Sequence, residues 1–164
     1  MKTLTILRHA KSSWDNPGLV DFDRPLNGRG KRDAPEMGKR MKAAGIRPSL
    51  IISSPAKRAW STAKLVAAEM AYPIEFLQRE PDLYHAGTAL LFDVIGRQDE
   101  GFNNLVLVGH NPGLTELTNL LVPGLTSNVP TAGFVSVLVD TDTWELRGSK
   151  SVDLLEYNYP KKNR

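Results

Sequence analysis

The chain has 164 residues, 21 Lys plus Arg against 18 Asp plus Glu for a net charge of +3, and 41% hydrophobic residues. It has no cysteine, which excludes disulfides and thiolate chemistry, and no apolar run near the roughly 20 residues of a membrane span. The positive excess is small and interspersed with acids, so it favours anionic partners only mildly and predicts no nucleic-acid binding.

In chain order, Thr3 to Leu7 is a short β-rich run that stops at Arg8 and His9, predicting a first strand. Residues 11–26 are irregular, and an irregular stretch of that length inside a compact domain is expected to be functional or to hide an element. Asn27 predicts a helix cap, with Ala34, Met37, Met41 and Ala44 on one face and Gly45 as the stop. Pro35 removes one donor from that helix and predicts a kink; the alternative is a later start at an Asp33–Glu36 capping box. Leu50 to Ile52 reads as the second strand, followed by Ser53, Ser54 and Pro55 as cap and first-turn proline of a helix to Met70. Pro73 to Leu77 reads as a short strand, and Thr88 as the cap of a helix carrying Leu90, Leu91, Val94 and Ile95. Leu105 to Val108 predicts another strand, running through Gly109–Gly113 into a helix with Leu114, Leu117, Leu120 and Leu121 at helical spacing. Phe134 to Val139 and Trp144 to Leu146, separated by Thr141, Asp142 and Thr143, read as a terminal hairpin. No repeat or linker interrupts the chain, so residues 1–164 read as a single domain. Strands alternating with helices predict a three-layer α/β/α fold whose sheet is mostly parallel with an antiparallel edge.

In open parallel sheets, ligands bind beyond the carboxyl ends of the strands. The first predicted strand ends in Arg8 and His9, the second leads within one helical turn to Arg58, and the third ends at His110. Taken singly, each is an ordinary surface cation or structural histidine. Together they place four oxyanion-binding groups at one edge. Phosphate is the anion this explains best, because guanidinium forks match tetrahedral oxygens and the helix opening at Ser54 adds its dipole. A metal held by His9 and His110 is rejected, because Arg8 and Arg58 would repel it.

The strings LRHA at residues 7–10, SSPAKRAWSTA at 53–63 and LVGHNPG at 107–113 resemble the histidine phosphatase superfamily. The block DFDRPLNGRGKRDAPEMG at 21–38 and the short length are similar to its SixA-type phosphohistidine phosphatase branch. The resemblance implies a phosphoglycerate mutase-like fold, with His9 as nucleophile, Arg8 and Arg58 as phosphoryl clamps and His110 as a donor to the phosphoryl oxygens. It implies a hydrolase that needs no metal or cofactor, forms a covalent phosphohistidine intermediate and acts on phosphohistidine of a partner protein in signal transduction; a cytoplasmic location is the default expectation from the lack of a membrane-spanning run and of a signal-peptide core at residues 1–12. The alternatives are a phosphatase or mutase of small phosphate esters and, from another class, a phosphate- or phosphoprotein-binding module without turnover. Ala10 stands where much of the superfamily has glycine.

Superfamily members that cleave alkyl phosphates protonate the leaving oxygen with a carboxylate. Here Glu80 and Asp82 are the candidates, with Asp15 and Asp23 behind them. A phosphoramidate needs less assistance, since its P–N bond is labile once the leaving nitrogen is protonated. His85 reads as structural or surface, Trp60 as core, and Trp14 as pocket wall or packing residue. The oligomeric state is not legible in the sequence.

Overall fold

The structure, a computed structural model, describes residues 1–148 and 150–162. The apolar runs at the predicted strand positions become β1 (Lys2–Arg8), β2 (Leu50–Ser53) and β4 (Asn104–Gly109), with a two-residue β3 (Gln78–Arg79) at one edge. β5 (Phe134–Val139) and β6 (Val152–Asn158) complete one sheet in the order β3-β2-β4-β1-β5-β6. β1 to β4 are mutually parallel, whereas β5 runs antiparallel to β1 and β6 in turn antiparallel to β5.

Alternation along the central strands divides their side chains between two faces. Leu4, Ile6, Ile52, Leu105 and Leu107 pack with α3 (Thr88–Gly96) and α4 (Gly113–Leu121). Leu7, Ile51, Val106 and Val108 pack with α1 (Gly28–Ala43) and α2 (Lys57–Glu69). The result is the three-layer α/β/α fold, and coverage on both faces explains why Leu50–Ile52 and Leu105–Val108 are continuously apolar. Among the described residues no helix is long and apolar enough to cross a membrane.

Several local expectations change. Asn27 does cap α1, its side chain accepting from the Gly30 amide at 2.8 Å, and the helix then runs from Gly28 through Pro35 to Ala43. The start at Asp33 is therefore not used. α2 begins at Lys57 with Ala56 at its cap, so Ser54 and Pro55 lie in the turn before it. Residues 74–76 form a 3-10 turn rather than a strand, and Gly87 takes the cap position expected for Thr88.

The terminal hairpin is corrected most: β5 pairs with β6, not with residues 144–146. Trp144 and Leu146 are instead buried in the α3/α4 core, where the Trp144 indole N–H donates to the Phe102 carbonyl at 2.9 Å. Burying an indole outweighs leaving it on an edge strand, and the half-exposed β6 gives only a weak alternating pattern.

Gly113, the first residue of α4, is a close-packing position. A Cβ there would stand 2.1 Å from the Ala86 carbonyl oxygen. Gly113→Ala is expected to cost about 1–3 kcal/mol as overpacking, read as a Tm several degrees lower; a native Tm would mean that the loop yields freely.

Candidate active site

Because β1, β2 and β4 run parallel, with Arg8 paired to Gly109 and Ser53 to Val108, their carboxyl ends meet at one edge of the sheet. β5 runs the other way, so the loop leading into it reaches the same edge. There Arg8, His9, Arg58 and His110 line one pocket of about 260 Å³ together with Asp21, Arg24 and His85. Larger hollows of about 520 and 550 Å³ lie elsewhere and carry no histidine.

The backbone around His9 is held on three sides. Its amide donates to the Gly109 carbonyl at 3.1 Å, its carbonyl accepts from Ala132 at 3.0 Å, and the Ala10 amide donates to Thr62 Oγ1 at 2.9 Å. His9 Nδ1 stands 2.8 Å from the Ala10 carbonyl oxygen. A carbonyl only accepts, so the neutral ring carries its hydrogen on Nδ1 and its lone pair on Nε2. Burial lowers the His9 pKa to about 4, with the charges of Arg58, Arg8 and Arg24 acting in the same direction. The ring is therefore neutral at pH 7.

His110 lies with its ring centroid 5.2 Å from that of His9. Its Nε2 is 2.7 Å from Ser54 Oγ, which already accepts the Ala56 amide at 3.2 Å. Nε2 is the one acceptor near the Ser54 hydroxyl among the described residues, so the serine proton goes there and the His110 hydrogen is assigned to Nδ1. That nitrogen is buried without a partner among the described residues, as are Nε of Arg8 and Nε of Arg58. Buried polar groups are nearly always bonded, so three unpaired N–H groups around one pocket mark an anion site. Burial, and next His9 and Arg58, push the His110 pKa to about 3.

The guanidinium groups are organised by a residue the sequence reading missed. Asp21 accepts from Arg58 through its main-chain carbonyl at 2.8 Å and through Oδ2 at 3.0 Å. The same Oδ2 accepts from Tyr84 at 2.7 Å, and Oδ1 accepts from Arg24 Nε at 3.1 Å. Burial acts to raise the Asp21 pKa, but the hydrogen bonds from Tyr84, Arg58 and Arg24 outweigh it and hold the carboxyl well below the usual carboxylate range. Arg24 also donates to Ser12 Oγ at 2.8 Å and lies 3.5 Å over the Trp14 ring. Arg8 is anchored on the Val129 carbonyl at 3.0 Å.

Arg8, His9, Arg58 and His110 are therefore brought together from three separate segments. Ser54 is fully buried beside His110 rather than lining the pocket. Asp82 is paired with Arg97 at 2.9 Å on the exposed surface, and Glu80, Asp15 and Asp23 do not line the pocket either. His85, expected to be structural or surface, is in its wall, as is Trp14. The irregular 11–26 segment and the 21–38 block that carries the family resemblance were the signals for Asp21 and Arg24, and neither assigns a role, since the Asp21–Arg58 pair spans 37 residues of sequence. Among the described residues, no group of three or more His, Asp or Glu side chains could hold a metal ion. A neutral imidazole with an exposed lone pair, a second imidazole N–H and three guanidinium groups can together bind a tetrahedral oxyanion and attack its central atom.

Comparison with known proteins places this site in context. A family model described as histidine phosphatase superfamily (branch 1) matches residues 4–81. An uncharacterized protein of Mycobacterium tuberculosis, strain H37Rv, is 32% identical over 115 residues, 70% of this chain and 69% of that protein. The structure superposes on the proposed phosphohistidine phosphatase SixA of Agrobacterium tumefaciens with a TM-score of 0.81 and 27% identity, covering 97% of this chain and 98% of the other. A tungstate complex of the protein histidine phosphatase SixA shares the fold, with a TM-score of 0.77 and 23% identity over 99% of each chain.

Proposed function

Because the chain belongs to the histidine phosphatase superfamily, we propose that it hydrolyses phosphohistidine on a partner protein by passing the phosphoryl group through His9. The observation that carries this reading is the His9 ring itself. Its Nδ1–H is spent on the Ala10 carbonyl, leaving Nε2 with a lone pair beside the cationic pocket.

In the first step the Nε2 lone pair bonds to phosphorus while the bond from phosphorus to the substrate's leaving atom breaks. Arg8, Arg24, Arg58 and the His110 Nδ1–H surround the phosphoryl oxygens, and such preorganised charge supplies most of the acceleration in phosphoryl transfer. In the second step water attacks phosphorus and the P–Nε2 electron pair returns to His9, which leaves as a neutral ring because Nδ1 has kept its hydrogen. The guanidinium groups do the neutralising that a metal does elsewhere, so no metal is needed in this reading. Asp21 holds Arg58 and Arg24 in place beforehand. A partner protein is favoured because Trp14, 73% exposed, stands at an open mouth, and because structural neighbours are described as acting on phosphohistidine.

The test is phosphate release from a phosphohistidine-bearing protein, with phosphoserine and small phosphomonoesters alongside. Selective release from phosphohistidine is expected. Release from small esters alone moves the substrate class to those esters and keeps the mechanism, while binding without release from any of them overturns the hydrolase.

A further inference from the structure

None of the four carboxylates expected from the sequence to act as an acid reaches the pocket. We propose that His85 is the catalytic acid of this site, giving its proton to the leaving atom in the first step and taking one from the attacking water in the second. This rests on the phosphoryl-transfer reading above.

His85 lines the pocket between the loop that follows β3 and the β4–α4 turn, and it is exposed to solvent. Its backbone has φ +61°, the left-handed region that few non-glycine residues enter, although histidine enters it more readily than most. Such conformations persist where the surroundings over-determine them, and they gather at active sites. Here the surroundings do so from both sides. The imidazole lies against Tyr84 with ring centroids 3.9 Å apart; Tyr84 is tied through its hydroxyl to Asp21 and stands edge-on to His110 at 5.5 Å. On the far side, the next residue, Ala86, sets its carbonyl against Gly113 so tightly that no Cβ fits there. The turn is thereby pinned to Asp21 and to the β4–α4 segment that carries His110.

The other proton-bearing groups of the pocket are committed. Asp21 accepts from Tyr84, Arg58 and Arg24 and has no proton to give. The His9 hydrogen is spent on Ala10, and that of His110 points to the anion. Guanidinium groups do not release protons, and an alkylammonium is a far weaker acid than an imidazolium. His85 remains.

The balance closes over the two steps. As Nε2 of His9 bonds to phosphorus, the bond to the leaving atom breaks with its electron pair staying on that atom, which takes the proton of the His85 imidazolium. Water then bonds to phosphorus, the P–Nε2 pair returns to His9, and the neutral His85 accepts the water's proton, restoring the imidazolium.

The experiment compares kcat/KM, which reports transfer to His9, on p-nitrophenyl phosphate, phenyl phosphate and a phosphohistidine-bearing protein. His85→Asn retains a residue type that tolerates the left-handed backbone. A positioned general acid contributes about 10²–10⁴-fold. His85→Asn is therefore expected to lose on the order of 10²-fold or more on phenyl phosphate, whose leaving group is strongly basic, and at least about tenfold less on p-nitrophenyl phosphate. Added imidazole is expected to restore part of the phenyl phosphate activity of His85→Gly. Equal losses on both esters, or no loss, would overturn the assignment while leaving the phosphoryl-transfer reading intact. A native protein inactive on all three substrates would overturn that reading and the assignment with it.

Discussion

His9→Ala is expected to reduce turnover by about 10⁴-fold or more, the scale on which removing a nucleophile from an assembled site acts. The substitution removes the Nε2 lone pair that bonds to phosphorus in this reading, and the covalent step goes with it. Arg8, Arg24, Arg58 and the His110 Nδ1–H stay in place, so inorganic phosphate and tungstate should still bind. The native protein, quenched in acid-free denaturant during turnover, should carry a base-stable, acid-labile phosphoryl group; His9→Ala should carry none. Normal turnover or normal labelling in the variant would place the nucleophile elsewhere. His9→Ala also leaves the Ala10 carbonyl without a side-chain donor, so its stability is measured in parallel to separate lost chemistry from lost fold.

The second large effect is on stability in acid. An unfolded imidazole takes up a proton as pH falls through about 6.5, whereas His9 in the fold resists protonation until about 4 and His110 until about 3. Below pH 6.5 the unfolded chain therefore binds more protons than the folded one, and stability must decline as pH falls. The contribution is fully present above pH 6.5 and is lost progressively toward pH 4 and 3. For His9 alone the difference is worth about 3 kcal/mol, and His110, which His9 opposes in charging, extends the loss to lower pH. Asp21 behaves with the same sign in a lower window, because its carboxyl is held down by hydrogen bonds and contributes until pH falls below the ordinary carboxylate range. Urea unfolding at pH 7.5, 6.0 and 4.5 checks this: a His9→Asn, His110→Asn double variant should show a much flatter decline than the native chain. An equally steep decline would assign the acid sensitivity to carboxylates instead. The same low pKa keeps His9 competent as a nucleophile at pH 6, so the acid limb of kcat/KM should fall well below 6.5.

His9 and His110, on which both predictions turn, were legible in the sequence, and the reason is local. A strand covered on both faces is a continuous apolar run, so Leu50–Ile52 and Leu105–Val108, with the β-rich run Thr3–Leu7, announce three parallel strands, and whatever follows each is at the binding edge of the sheet. That places Arg8, His9 and His110 without any knowledge of contacts, and Arg58 follows by one helical turn. Asn27 as the α1 cap is legible for a similar reason, since an N-cap bond spans only three residues.

What the sequence left open are the features that depend on distant segments meeting. Asp21 and Tyr84 are 63 residues apart and acquire their roles only when the 11–26 segment closes over the pocket. Glu80 and Asp82 lie near the site in sequence, but the 3-10 turn at residues 81–83 carries Asp82 outward to Arg97. The same turn brings His85 inward. Trp144 has the β-propensity of a hairpin strand, yet the core's gain from burying it overrides that preference and gives the β5 partnership to residues 152–158. The sequence by itself determined the layers, the parallel sheet and the four groups at its edge, because each follows from periodicity and chain direction. Only the tertiary structure decided which nitrogen of His9 carries the lone pair, what restrains the arginines and which proton donor faces the pocket. Those depend on hydrogen bonds and burial across the fold, which no local pattern encodes.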